Sequence, residues 1–210
     1  MKKIIAMAVA AVCLVSATFA LDLEVGGKVS LGRNLDQGTF KENYAQAKED
    51  ETFDFGAGAY ARIAFIQLEA NYVKSSIDFK SVDENGKKKT TEYETHTLDL
   101  SPMLWLSVDL WKLQLGFGAG PNFAIQINAL GDVKNAQKQD FKVGIIGGTD
   151  IKFYFTDHLG LVLSGRYVTD FKKQNVKIEA YGQDVETPLP EYSFNRKSIY
   201  GGLGLEFKLL

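Results

Sequence analysis

The sequence predicts an all-β protein, an eight-stranded antiparallel up-and-down transmembrane β-barrel. Three observations carry this. Apolar and polar residues alternate with period 2 along eight runs, the repeat of a pleated strand with one apolar face. The links between runs are alternately long and short. The first and last runs both alternate and can pair, which removes the two edges an open sheet would expose. No helical period competes with this pattern.

Residues 1–20 read as a secretory signal peptide: Lys2 and Lys3, twelve apolar residues from Ile4 to Val15, then small residues at Ser16-Ala-Thr-Phe-Ala20. The barrel domain is expected over residues 21–210. The only cysteine, Cys13, leaves with the signal, so disulfides and thiol chemistry are not expected. A lipoprotein cut before Cys13 is opposed by Val12 and by the apolar run continuing past it. Removing Lys2 and Lys3 leaves 22 basic against 26 acidic residues, a net charge of −4, which offers no attraction to nucleic acid. Beyond the signal there is no apolar run of the roughly 18 residues that a transmembrane helix needs. An exported chain that is 45% hydrophobic with 20 glycines is then either a membrane barrel or a soluble periplasmic β protein.

In the first run, Leu21, Leu23, Val25, Val29 and Leu31 alternate with Asp22, Glu24, Gly26, Lys28 and Ser30. The second places Phe53, Phe55, Ala57, Ala59, Ala61, Ile63 and Phe65 against Asp54, Gly56, Gly58, Tyr60 and Arg62. In the third, Leu68, Ala70 and Tyr72 oppose Gln67, Glu69 and Asn71, and the parity change at Val73 predicts a bulge or the rim of the barrel. Glu84-Asn-Gly-Lys87 is a hairpin turn signal. The fourth run sets Thr95, Thr97, Asp99 and Ser101 against Leu98, Leu100, Pro102 and Leu104; Pro102 predicts a local break in pairing. A turn is expected over Ser107 to Leu110. The fifth run then has Lys112, Gln114, Gly116, Gly118, Gly120 and Asn122 on its polar side. The sixth alternates from Phe141 to Phe153, with Lys142, Asp150 and Lys152 on the polar side. Thr156-Asp-His158 turns into the seventh, Leu159 to Tyr167, which carries Arg166. The eighth runs from Ser198 to the terminus, with Glu206 and Lys208 on its polar side.

Residues 33–51, 80–92, 128–140 and 170–195 form long polar connections, whereas the links near 65, 108 and 157 are short. Four loops therefore lie at one end and three turns at the other, the layout of short periplasmic turns and long extracellular loops.

The orientation of the faces decides between membrane and water. The polar side carries Asp22, Glu24, Asp54, Glu69, Asp99, Asp150 and Glu206, matched by Lys28, Arg62, Lys112, Lys142, Lys152, Arg166 and Lys208. Its glycines would weaken exposed strands for no return, but in a narrow lumen they leave room for long neighbours. The apolar side is nearly free of charge over the roughly 9–11 residues that cross a bilayer. Aromatics near run ends, among them Phe53, Phe65, Trp105, Trp111, Phe141 and Phe153, suit interfacial girdles. A soluble barrel carrying a hydrophobic ligand would need the faces reversed.

Two stretches add a family resemblance. Ile151-Lys-Phe-Tyr-Phe-Thr-Asp-His-Leu-Gly-Leu161, followed by Leu163-Ser-Gly-Arg-Tyr167, resembles the strand–turn–strand of small porin-family outer-membrane β-barrels, the architecture of the OmpA transmembrane domain, OmpX and OmpW. Gly204-x-x-Phe207-x-Leu209 resembles their C-terminal insertion signal, although the chain ends on Leu210 instead of an aromatic. The resemblance implies location in the cell outer membrane, with outer-membrane lipid and the barrel assembly machinery as partners. The charged loop stretches Asp83-Glu-Asn-Gly-Lys-Lys-Lys89 and Asp170-Phe-Lys-Lys-Gln-Asn175 are either solvated runs or a surface for a host or environmental ligand, because loops on a rigid scaffold are where recognition evolves.

No catalytic, cofactor or metal site is expected. His158 is a turn residue, and His96 and Ser101 have opposite parity, so no triad forms from them. The candidate site is instead the charge network of Asp22, Glu24, Lys28, Asp54, Arg62, Glu69, Lys112, Asp150, Arg166 and Glu206. It either fills the lumen with ion pairs or lines a narrow hydrophilic path. The function expected is structural or adhesin-like recognition through four extracellular loops, with a small channel for ions or solutes as the alternative.

Overall fold

A computed structural model describes residues 23–36, 39–41, 48–49, 53–82, 88–131, 141–177 and 191–209. Residues 1–20, Asp22 and the Glu84–Lys87 turn lie outside the described residues. In chain order the strands are β1 (Leu23–Asn34), β2 (Thr39–Lys41), β3 (Lys48–Glu49), β4 (Asp54–Ile63), β5 (Ile66–Val82) and β6 (Lys88–Leu110). They continue with β7 (Leu113–Gly131), β8 (Phe141–Tyr154), β9 (Leu159–Asp170), β10 (Gln174–Lys177), β11 (Glu191–Phe194) and β12 (Lys197–Lys208).

Eight of these close a barrel. The order runs β5-β4-β1-β12-β9-β8-β7-β6, and β6 returns to β5. Every pairing is antiparallel, and β1 lies beside β12 from Glu24↔Lys208 to Asn34↔Ser198. The first and last strands therefore meet as the sequence predicts, and neither keeps a free edge along that stretch.

The faces also fall as expected. Burial alternates residue by residue along β4, with Asp54, Gly56, Tyr60 and Arg62 inside and Phe55, Ala57, Ala59, Ala61 and Ile63 outside. Leu115, Phe117, Val143, Ile145, Leu163, Leu203 and Phe207 are exposed around the wall. A soluble carrier would bury these residues; here the apolar side is the exterior. Phe123 stacks on Phe141 with centroids 6.2 Å apart, and Phe153 meets Phe155 edge-on at 5.4 Å.

Four expectations need correction. No bulge occurs at Val73: β5 stays in register with both neighbours, and Val73 simply turns its apolar side chain into the lumen, 4% exposed. The register shift lies between His96 and Thr97 on the β7 side. The turn expected over Ser107 to Leu110 lies at Trp111 and Lys112, because β6 runs straight through to Leu110 and Trp111 adopts a positive φ of 57°. Trp105 is not in a girdle: it shares parity with Asp99 and Ser101 and is 1% exposed inside the barrel. Finally, the long connections are not all loop. β5 and β6 stay paired out to Val82↔Lys88. Parts of the first and last long connections build a second sheet, in the order β10-β11-β2.

The break expected at Pro102 is present on one side. Pairing with β7 lapses between Leu100↔Phe123 and Leu104↔Ala119, while pairing with β5 continues through Pro102. Proline supplies no N–H to a ladder, and Pro121 falls in the same gap on the partner strand.

Candidate functional site: the ionic lumen

Long polar side chains fill the interior in three levels. At the turn end, β1 contributes Glu24, β4 Arg62, β8 Lys152 and β12 Glu206. Arg62 Nη2 donates to Glu24 and, at 2.8 Å, to Gln114 Oε1. Lys152 Nζ donates to Glu24 Oε2 at 2.9 Å and also to Glu206. Glu206 further accepts from Tyr60 OH at 2.5 Å and Tyr154 OH at 2.6 Å. Both Lys152 and Glu206 are 0% exposed. Charges so deep are stabilised by matching their donors and acceptors, and among the described charged groups of this level Arg62 Nη1 alone is left without a partner.

The middle level is organised on Glu69 of β5. Lys28 Nζ donates to its Oε1 at 2.6 Å, and Arg166 Nη2 to its Oε2 at 3.0 Å. Gln67 and Asn71 add amide donors at 3.0 and 2.8 Å. Arg166 reaches the other way to Asp150 Oδ1 at 2.7 Å, and its guanidinium lies 5.0 Å from the Trp105 ring centroid. The glycines here are spatial necessities. A Cβ on Gly116 would stand 2.5 Å from Trp105 Nε1, and one on Gly148 would stand 2.5 Å from Arg166 Cδ.

At the outer mouth, Arg196 from the link between β11 and β12 clasps Asp99 through both terminal nitrogens, Nη1 at 2.8 Å. Tyr200 OH donates to Asp54 Oδ2 at 3.1 Å, and Asn122 Nδ2 to Asp99 Oδ1 at 3.3 Å. A cavity of about 20 Å³ separates this cap from the middle level, lined by the apolar Val73, Ile146 and Val168 together with polar groups that include Lys28, Glu69 and Asp99. That is room for about one water molecule.

Of the residues singled out from the sequence, Glu24, Lys28, Asp54, Arg62, Glu69, Asp150, Arg166 and Glu206 come together in these levels. Lys112 does not. It sits in the Trp111–Lys112 turn, exposed, with Nζ 5.3 Å over the Trp111 ring. The misplaced turn had counted it into a strand, and the inward residue of that stretch is Gln114. Sequence reasoning placed Lys152 and Asp99 on the polar side but left them out of the network, and it missed Arg196, Tyr60, Tyr154 and Tyr200 as members. Arg196 has the parity of Ser198 and Tyr200, so extending the last run two residues backward would have found it. Phe207 and Leu209 face outward, each 51% exposed. The N–H of Leu209 bonds the Leu23 carbonyl at 2.8 Å.

His96 and Ser101 lie on opposite faces. Ser101 is buried in the lumen beside Asn122, bonded at 2.7 Å. His96 is on the outer wall, where it meets Tyr72 and pairs with Glu94 at 2.7 Å. Lys74 bonds Glu94 at 2.7 Å and, with His96, holds that carboxyl below its usual range. Among the described residues, no three His, Cys, Asp or Glu side chains converge as metal ligands.

A closed eight-stranded barrel, apolar outside and ionic within, defines a small outer-membrane barrel protein. The chain belongs to the outer membrane protein beta-barrel domain family, which it matches over residues 5–207. Among solved structures it resembles the outer membrane protein OprG from Pseudomonas aeruginosa, with a TM-score of 0.65 at 13% identity, over 90% of this chain and 96% of that one. Neisserial surface protein A is similar at a TM-score of 0.45 and 13% identity, over 89% of this chain and 97% of its own. Ail of Yersinia pestis follows at 0.37 and 10%, over 91% and 100%. No curated protein sequence matches significantly.

Proposed function

We propose that this barrel is a structural and surface-recognition protein that works through its extracellular connections, with a lumen closed by ion pairs and without catalysis. The observation that carries the reading is the outer sheet β10-β11-β2, which joins the first and last long connections into one body. The link entering β12 is bonded to the barrel: Asn34 Nδ2 donates to the Asn195 carbonyl at 3.3 Å, and Arg196 Nη1 to Asp99 Oδ1 at 2.8 Å. Ordered connections on a rigid scaffold are where recognition surfaces are built. The three ionic levels support closure, since pairing uses the space a pore would need. Gly204, Phe207 and Leu209 serve as the signal read by the assembly machinery, on a strand whose outward side chains stay accessible.

Two measurements test this. Purified protein in a planar bilayer should show no steady single-channel conductance. Steady conductance from the wild type, unchanged in Arg166→Ala, would reject closure and promote the small-channel alternative. Cells displaying the barrel should adhere to some member of a panel of glycans, matrix proteins and host cells. That adhesion should vanish when the segment between β9 and β12 is replaced by a short turn; a segment whose replacement leaves every adhesion unchanged has no recognition role.

A further inference from the structure

Arg33 is an exposed cation on the lipid-facing wall. It lies one residue before the end of β1 and shares outward parity with the exposed Leu31 and Leu35. Among the described residues, no hydrogen bond or ion pair involves its side chain. Its cross-strand neighbours are apolar. Ile199 stands directly opposite on β12, and on the other side the last β4 pair, Gly32↔Asp54, adjoins the exposed Phe53. Lys74, another outward cation, differs because Glu94 pairs with it at 2.7 Å.

A second cation lies diagonally above Arg33. The Leu35 N–H donates to the Lys197 carbonyl at 2.6 Å, which sets Lys197 two residues beyond Ile199, the partner of Arg33. Lys197 has the parity of Ile199, and side chains in this diagonal relation come within reach of each other when they are long. Its contact with Asp36 is 3.5 Å, with the two side chains 43% and 29% exposed. An open pair of that kind contributes little. Two cations thus meet one carboxylate at this corner of the rim.

Beneath the cations the wall is indented. On the next outward row Leu31 pairs with Gly201, and Gly201 with Gly165. A Cβ on Gly201 would meet nothing within 4 Å, and one on Gly165 only Thr149 Oγ1 at 3.7 Å. Packing within the barrel therefore does not require glycine at either position, in contrast to Gly116 and Gly148 in the lumen. Larger exposed residues border the gap, Leu203 and Leu163 on one side, Ile199 and Tyr167 on the other. Glycine inside a strand marks a place where a ligand can approach closely.

The flanking rings of Phe53 and Tyr167 put the cations at headgroup height, where aromatic girdles gather. A guanidinium offers phosphate two parallel N–H donors, and an ammonium adds a point charge. The indentation below faces hydrocarbon and suits a fatty chain.

We propose that Arg33 and Lys197, together with the Gly201–Gly165 indentation, bind one phosphorylated lipid of the outer leaflet. The phosphate rests on the cations and a fatty chain lies along the glycines. This lipid site needs the long connections outside, but neither an adhesive surface nor a closed lumen.

The test uses the full barrel in detergent micelles, offered phosphatidic acid, phosphatidylcholine or diacylglycerol with identical fatty chains. Native mass spectrometry should show one phosphatidic acid retained per barrel, with the choline lipid held more weakly and diacylglycerol lost. That comparison on the wild type needs no variant to fold. Arg33→Ala and Lys197→Ala should each weaken retention about fivefold, whereas Lys74→Ala should leave it unchanged. Gly201→Leu should weaken it with both cations in place. Inorganic phosphate at the same concentration should not compete. Equal retention of phosphatidic acid and diacylglycerol overturns the proposal, as does retention undiminished in the Arg33→Ala/Lys197→Ala double variant. An equal loss in Lys74→Ala would reduce the effect to general surface charge, and displacement by inorganic phosphate would make the site one for a free anion; either result rejects the lipid.

Discussion

Arg166 shows how much one lumenal side chain can organise. It joins Glu69 on β5 to Asp150 on β8 and lies over Trp105 on β6, so three strands of the wall meet on one guanidinium. Truncating one partner of a buried ion pair leaves the others charged and unmatched, at a cost of about 3–5 kcal/mol. Arg166→Ala should lower stability by that order in urea unfolding from lipid vesicles. Lys112→Ala should stay within about 0.5 kcal/mol of wild type, because Lys112 is an exposed turn residue. A loss from Lys112→Ala matching that from Arg166→Ala would return Lys112 to the network.

At the scale of the strand, the wall is a packed object with two different solvents. Leu115 on β7 faces lipid, and Leu115→Arg should cost about 2–4 kcal/mol if it lies near the bilayer midplane. Its neighbour Gly116 faces inward against the Trp105 indole. Gly116→Leu should therefore destabilise by overpacking, about 1–3 kcal/mol, and Trp105→Ala should partly rescue it. A double-mutant cycle on unfolding free energies measures the coupling, and strict additivity would mean the two do not share the space.

For the molecule as a whole, closure and face orientation act together. An exterior of Leu, Ile, Val and Phe at about half exposure leaves far more contiguous apolar surface than a soluble monomer carries. The chain should therefore fold only with detergent or lipid, seen as β circular dichroism and as altered gel mobility without boiling. A monodisperse, folded, detergent-free protein would contradict this.

Period 2 made the eight strands legible from sequence, because the pleat sends successive side chains to opposite faces whatever the partner strand. It also revealed which face is polar, and it made first-to-last pairing follow from two strands that would otherwise be edges. What parity cannot contain is height. Strand tilt and stagger bring distant residues to one level, such as Lys152 and Glu24, which are 128 positions apart, and Arg166 and Glu69, which are 97 apart. Only closure of the barrel chose those partners. The Trp111 turn eluded the sequence because a tryptophan at positive φ violates the local preference that marks turns with glycine or asparagine. Arg196 was hidden in a long polar connection, where charge normally means solvent. It became a lumenal residue because the outer sheet and the antiparallel pairing of β9 with β12 hold it over the barrel mouth. Local alternation thus determined the strands and their faces, and long-range packing decided which charges meet.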